Sequence, residues 1–135
     1  MGTMLKQVGA FMFSVSFLAT GFAAAETLPS TATKATMEEF KAFADGKTVE
    51  VVIFDLDVPV TATLVWDWKK KRITGTGLVN GKDKIKVKTK LSFKEDMACA
   101  DQDGKPNCHQ IYIDGNKFHE VRDDGNVHAT STLKE

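Results

Sequence analysis

The chain has 135 residues, with 18 basic and 18 acidic side chains, three histidines and two cysteines. That balance excludes a global electrostatic argument for nucleic acid or an anionic membrane as partner. The length fits one domain whose core is adequate but not generous.

Residues 1–25 read as a secretory signal. Lys6 supplies the positive n-region, Val8 to Ala23 form an apolar run, and Ala23 and Ala25 satisfy the small-residue rule for cleavage before Glu26. The 16 residues of that run fall short of the roughly 20 that a bilayer span needs, so no membrane span is expected once the signal is removed. No cysteine follows the run, which speaks against a lipoprotein anchor. The remaining 110 residues carry 17 basic and 18 acidic groups, and their expected location is periplasmic or secreted.

Residues 26–35, "ETLPSTATKA", are polar and without period, and read as a flexible leader to a single domain over 36–135. Thr36 and Glu39 form a capping box, Met37, Phe40 and Phe43 make one apolar stripe, and Gly46 is placed to end the helix. A lid packed on a sheet is the expected role of that stripe.

After Gly46 the period becomes two. "TVEVVIFDL" and "VTATLVWDW" read as strands, the second with Val60, Ala62, Leu64, Trp66 and Trp68 on one face. "RITGTGLV" follows. With Lys70 and Lys71 as a two-residue turn, Trp68 would face Ile73, Trp66 would face Gly75 and Leu64 would face Gly77, an arrangement that lets a sheet bend. In "KIKVKTKLSF" Ile85, Val87, Thr89, Leu91 and Phe93 point in, while Lys84, Lys86, Lys88 and Lys90 point out. "MACA", "CHQIYI", "KFHEVR" and "NVHATSTL" complete the set. The fold class is therefore mostly β: a small antiparallel barrel or strongly curved sheet of about 7–8 strands, with one short N-terminal helix.

Cys99 and Cys108, in "CADQDGKPNC", are the two cysteines. In an exported chain they most simply form one disulfide. Eight intervening residues are too many for a thioredoxin-type redox pair, and structural zinc wants four ligands where only His109 stands near. "DQDG" resembles a fragment of a calcium loop without its downstream glutamate.

Of the three histidines, His119 and His128 are expected to share one face and His109 the opposite one, with no metal site; a one-residue bulge would bring His109 round. Ile111, Ile113, Phe118, Val127, Ala129 and Leu133 define the inner face of the last strands, with Glu120 and Arg122 among them. Two such charges on an apolar face need each other, a ligand, or a barrel end open to water. Asp55 and Asp57 share a face where the first strand ends, and read as the marks of a turn. No serine lies in a nucleophile elbow, no phosphate loop appears and no catalytic set is assembled, so no enzyme and no cofactor are expected.

The stretches "MEEFKAFADGKTV", "CHQIYIDGNKF" and "VRDDGNVHATSTL", with the bracketing cysteines, resemble a family of small exported alphaproteobacterial proteins of unknown function. The resemblance covers about half of the mature chain and implies a lipocalin-like barrel in the cell envelope, with no activity attached. The expected function is a non-enzymatic, monomeric binding module for a small apolar or amphipathic ligand. Trp66, Trp68, Phe93 and Phe118 would line its site, with Glu120 and Arg122 at the polar end. A second expectation is an envelope protein partner, such as a lysozyme or protease, met by the stapled loop 99–108. A third is docking of the row Lys84, Lys86, Lys88 and Lys90 on anionic glycolipid.

Overall fold

A computed structural model describes residues 26–135; the expected signal segment, 1–25, lies outside the described residues. The elements in chain order are β1 (Glu26–Thr27), β2 (Thr33–Lys34), α1 (Met37–Ala44), β3 (Thr48–Ile53), β4 (Val60–Asp67), β5 (Arg72–Val79), β6 (Asp83–Lys94), β7 (Met97–Gln102), β8 (Lys105–Asp114), β9 (Lys117–Val121) and β10 (Asn126–Leu133). Strands β3 to β10 pair each with the next, all antiparallel, and β10 returns to β3 through Ala129↔Ile53 to Leu133↔Val49. The result is a closed eight-stranded meander.

The helix forms where the sequence places it. Thr36 Oγ1 accepts from the Glu39 amide at 3.1 Å and Glu39 Oε1 accepts from the Thr36 amide at 2.8 Å, so both ends of the capping box are made. Asp45 ends the helix and Gly46, at φ +74°, turns the chain into β3. Asp45 Oδ1 also accepts from the Trp68 amide, at 3.0 Å, which ties the helix end to the β4–β5 turn. Phe40 and Ala44 are fully buried, with Met37 and Phe43 packed beside them. The stripe is the lid that the period of the sequence predicts.

The register of β4 on β5 differs from the sequence expectation. The β4–β5 turn takes four residues, Trp68 to Lys71, because Asp67 Oδ1 accepts from the Lys70 amide and Lys71 adopts φ +54°. Trp66 therefore faces Ile73, Leu64 faces Gly75 and Ala62 faces Gly77, a shift of two residues that keeps every side chain on its predicted face. A Cβ at Gly75 would overlap the backbone carbonyl of Thr63, so glycine is what lets the two strands approach there.

The stapled segment is a hairpin and not a loop. β7 and β8 run in register from Met97↔Gln110 to Gln102↔Lys105, turning on Asp103 and Gly104, both at positive φ. Cys99 and Cys108 stand opposite each other and are joined as a disulfide.

β6 pairs with β7 only over Leu91–Lys94. Residues 83–90 pair with β5 alone, which leaves Ile85, expected inside, 41 % exposed. Their four outward lysines keep that free edge from accepting another strand.

The leader is tied down rather than loose. β1 pairs with β10 at Glu26↔Val127 and β2 with β8 at Thr33↔Ile113, on the far sides of the two neighbours of β9. Residues between them therefore cross the outside of β9, where the outward His119 and Val121 are each only 4 % exposed. Among the described residues no helix is long and apolar enough to cross a membrane.

Candidate functional site

The two ends of the barrel differ in chemistry. At the helix end, Phe40 sits among Trp66, Trp68 and Phe118, with ring centroids at 5.2, 5.0 and 4.7 Å and edge-to-face angles. Phe93 stacks on Trp68 at 5.5 Å. The predicted aromatic set is thus assembled, but the lid residue Phe40 occupies the space it encloses, with 0 % exposure.

The opposite mouth is polar. A cleft of ≈ 480 Å³ opens there, walled by the bend after β3, the β7–β8 hairpin and the β9–β10 turn. Asp55, Gln102, Asn107, His109, Arg122 and His128 are among its lining residues. None of Trp66, Trp68, Phe93 and Phe118 takes part.

A bulge assembles this mouth. Val127 pairs with Val121, yet Ala129 pairs with Glu120, so His128 is an extra residue in β10. The cause is the β9–β10 connection, in which the Arg122 amide bonds to the Asn126 carbonyl around the three residues 123–125. That loop is one residue longer than the expected Asp124-Gly125 turn. Beyond the bulge the strand recovers the predicted pairing, which keeps Ala129 inside. Before it, Val127 pairs toward β1 and is buried outside the main core. His128 leaves the face of His119 and stacks on His109, with ring centroids 4.4 Å apart and planes 3° from parallel. A bulge does unite two histidines, but it is His128 that moves.

Glu120 and Arg122 are not each other's partners. Glu120 is 9 % exposed, and His109 Nδ1 stands 4.0 Å from its Oε1, beyond hydrogen-bonding distance. Arg122 lies past the end of β9, half exposed, and reaches Asp55 at 3.3 Å and Asp124 at 3.1 Å. Asp55 also meets His128, Oδ1 to Nδ1 at 2.6 Å. It is a site residue, whereas sequence reading takes it for a turn marker; a carboxylate held where an inward strand leaves the barrel is the signal that was present.

Burial governs the electrostatics. It pushes the Glu120 carboxyl up to about 7, against the opposing pull of His128. It lowers His109 to about 4, helped by the neighbouring His128. His119 is also lowered by burial, but it lies on the outer face, bonded through Nδ1 to Thr130 Oγ1 at 2.8 Å, and belongs to no cluster. One ligand-type atom from each of His109, Glu120 and His128 lies within 4.8 Å of the others, the one such group of three among the described residues.

The lysine row is exposed, and Lys90 stands opposite Arg72 across β5 and β6. With Lys70, Lys71 and Lys88 these line a second groove, of ≈ 490 Å³, in which Asp101 is the acidic member.

Comparison with family models, with curated proteins and with solved structures finds no match to this chain. What the fold and the site define is a class: a closed eight-stranded meander barrel, plugged at one end by a helix and carrying an acid–histidine cluster at the other. It is consistent with the lipocalin-like barrel that the sequence resemblance implies.

Proposed function

We propose that the chain is a non-enzymatic binding module of the cell envelope that takes a small polar ligand in the cleft at its open mouth. The observation that carries this reading is the convergence of Asp55, His109, Arg122 and His128, from four different elements or their ends, on one cleft, with the Glu120 carboxyl 4.0 Å from His109. Barrel mouths with a few convergent polar groups are where such folds place ligands. Export accords with the disulfide and with the expected signal, since disulfides persist in oxidising compartments. An apolar cargo among the tryptophans has less support, because Phe40 fills that space.

Native mass spectrometry of the mature protein, purified from its own envelope, tests the reading. Extra mass that leaves on denaturation, and that Arg122→Ala and Asp55→Ala reduce, is the expected result. A bare chain, or bound mass indifferent to both substitutions, would overturn it.

The basic groove supports a second reading, docking on anionic glycolipid. Five cations, Lys70, Lys71, Arg72, Lys88 and Lys90, surround one groove, and like charges standing opposite each other destabilise a strand pair unless an anion lies between them. Sedimentation with anionic vesicles at low and high salt decides it: salt-sensitive binding supports the docking, and no binding removes it.

A further inference from the structure

We propose that His109, Glu120 and His128 form a binding site for one divalent transition-metal ion of the zinc class, with Asp55 as the group that orients His128. The inference rests on the cleft reading above and names the ligand of that cleft.

Four observations carry it. Two imidazoles and a carboxylate is a donor set that suits zinc and its first-row neighbours, and leaves a coordination position open. The Glu120 side chain is only 12 % exposed, and His109 Nδ1, its ion-pair neighbour, stands at 4.0 Å, beyond hydrogen-bonding distance. A cation held between Glu120 and the two histidines would give that carboxylate a partner. His128 is held through Nδ1 by Asp55 at 2.6 Å, which leaves Nε2 as the ring nitrogen free for a metal; a carboxylate behind a histidine is the usual support of a metal ligand. Finally, the bulge at His128 brings its imidazole beside that of His109, with centroids 4.4 Å apart; ligation uses lone pairs in the ring plane, so the two parallel rings must turn relative to each other before both reach one ion.

The geometry needs a small closure. Bonds of about 2.0–2.1 Å hold tetrahedral donors roughly 3.4 Å apart, against a present spread of up to 4.8 Å. His128 is half-buried on the open side of the cleft, so rotation of its ring can supply that movement. The disulfide removes both thiols from competition. The fourth position faces the cleft, where water or an anion held by Arg122 would complete the shell.

The test uses the mature, chelator-treated chain with Zn²⁺ in calorimetry and Co²⁺ in visible absorption. One ion per chain is expected, with Co²⁺ bands of a four- or five-coordinate centre. Glu120→Gln, nearly isosteric, and His128→Ala, at a half-buried position, should each weaken Zn²⁺ at least ~10-fold, while His119→Ala leaves it unchanged. Absence of saturable one-to-one binding, or equal affinity in both folded variants, overturns the proposal. Should native mass spectrometry then find an organic ligand instead, the metal reading falls and the cleft reading stands; a bare chain with no metal affinity removes both.

Discussion

His128 Nδ1 lies 2.6 Å from Asp55 Oδ1, which joins a bulge in the last strand to the bend that follows the first strand of the barrel. Those strands are paired where the barrel closes, so the contact sits on its seam. Asp55 is shared: Arg122 holds its other oxygen at 3.3 Å. Removing the carboxylate therefore frees two side chains of the cleft at once.

Asp55→Asn should weaken Zn²⁺ about 10-fold, the lower end of what an orienting carboxylate contributes. Competition calorimetry against a chelator reads this directly. The variant keeps the volume of the side chain and lies at the surface, so its unfolding midpoint should hardly move. An unchanged affinity would mean that Asp55 serves the seam alone.

Gly75→Ala should be markedly more destabilising than Gly77→Ala. A Cβ at Gly75 meets the rigid backbone of Thr63 and Leu64, whereas at Gly77 its nearest neighbours, at 3.1 Å, include the side chain of Ile85, which can give way. Overpacking of this kind costs about 1–3 kcal/mol. Urea unfolding of the two variants should rank them in that order, and equal midpoints would show that the strands relax at both positions alike.

Phe40→Ala should cost about 3–5 kcal/mol, the range for a buried aromatic, because Phe40 touches both tryptophans and Phe118 and has no exposed surface. The near-ultraviolet dichroism of the tryptophans should collapse with it. A folded variant that gains affinity for an apolar dye would show that the lid residue, and not the barrel wall, excludes a cargo from the helix end.

Much of the architecture is legible in the residues. The capping box, the lid stripe, the eight barrel strands and the disulfide pair all follow from local rules of period, capping and compartment. The site is less legible because it depends on a single extra residue. From the sequence, "DDGN" admits a two-residue or a three-residue turn; the choice shifts Asn126, Val127 and His128 by one place and decides which of two faces His128 joins. Asp55 is hidden for another reason. Its partner lies 73 positions away, and only closure of the barrel, which is a property of the whole sheet, brings the two together. The leader likewise reads as loose from its composition, while two short pairings with distant strands hold it.

The hairpin staple should contribute modestly. The closed segment spans a separation of 9 residues, for which the chain-entropy model gives roughly 2–3 kcal/mol. The Asp103–Gly104 turn already favours the hairpin in the unfolded chain, so Cys99→Ser with Cys108→Ser should lose no more than that. Chemical denaturation of oxidised and doubly substituted protein gives the difference, and a loss well above 3 kcal/mol would mean that the fully buried Cys99 matters more as packing than as a cross-link.

His119 makes the fold sensitive to acid. Burial under the leader lowers its pKa from 6.5, with Asp114 and Glu26 opposing the shift and Lys117 adding to it. A histidine depressed in the folded state takes up its proton more readily when unfolded. Stability is therefore complete above pH 6.5 and falls as the pH drops from there toward the folded pKa, because the unfolded chain then binds more protons. His109, lowered to about 4, acts in the same direction. Glu120, raised to about 7, acts in the opposite one, since its folded form keeps a proton that the unfolded chain loses above pH 4.5. The wild-type curve sums all three, so the clean measurement is a difference. His119→Gln, which retains a partner for Thr130, should show a smaller loss of unfolding free energy than the wild type between pH 7.5 and 5.5. Parallel curves for the two proteins would place the acid sensitivity in the cleft instead, and deletion of residues 26–34 would then leave it unaltered.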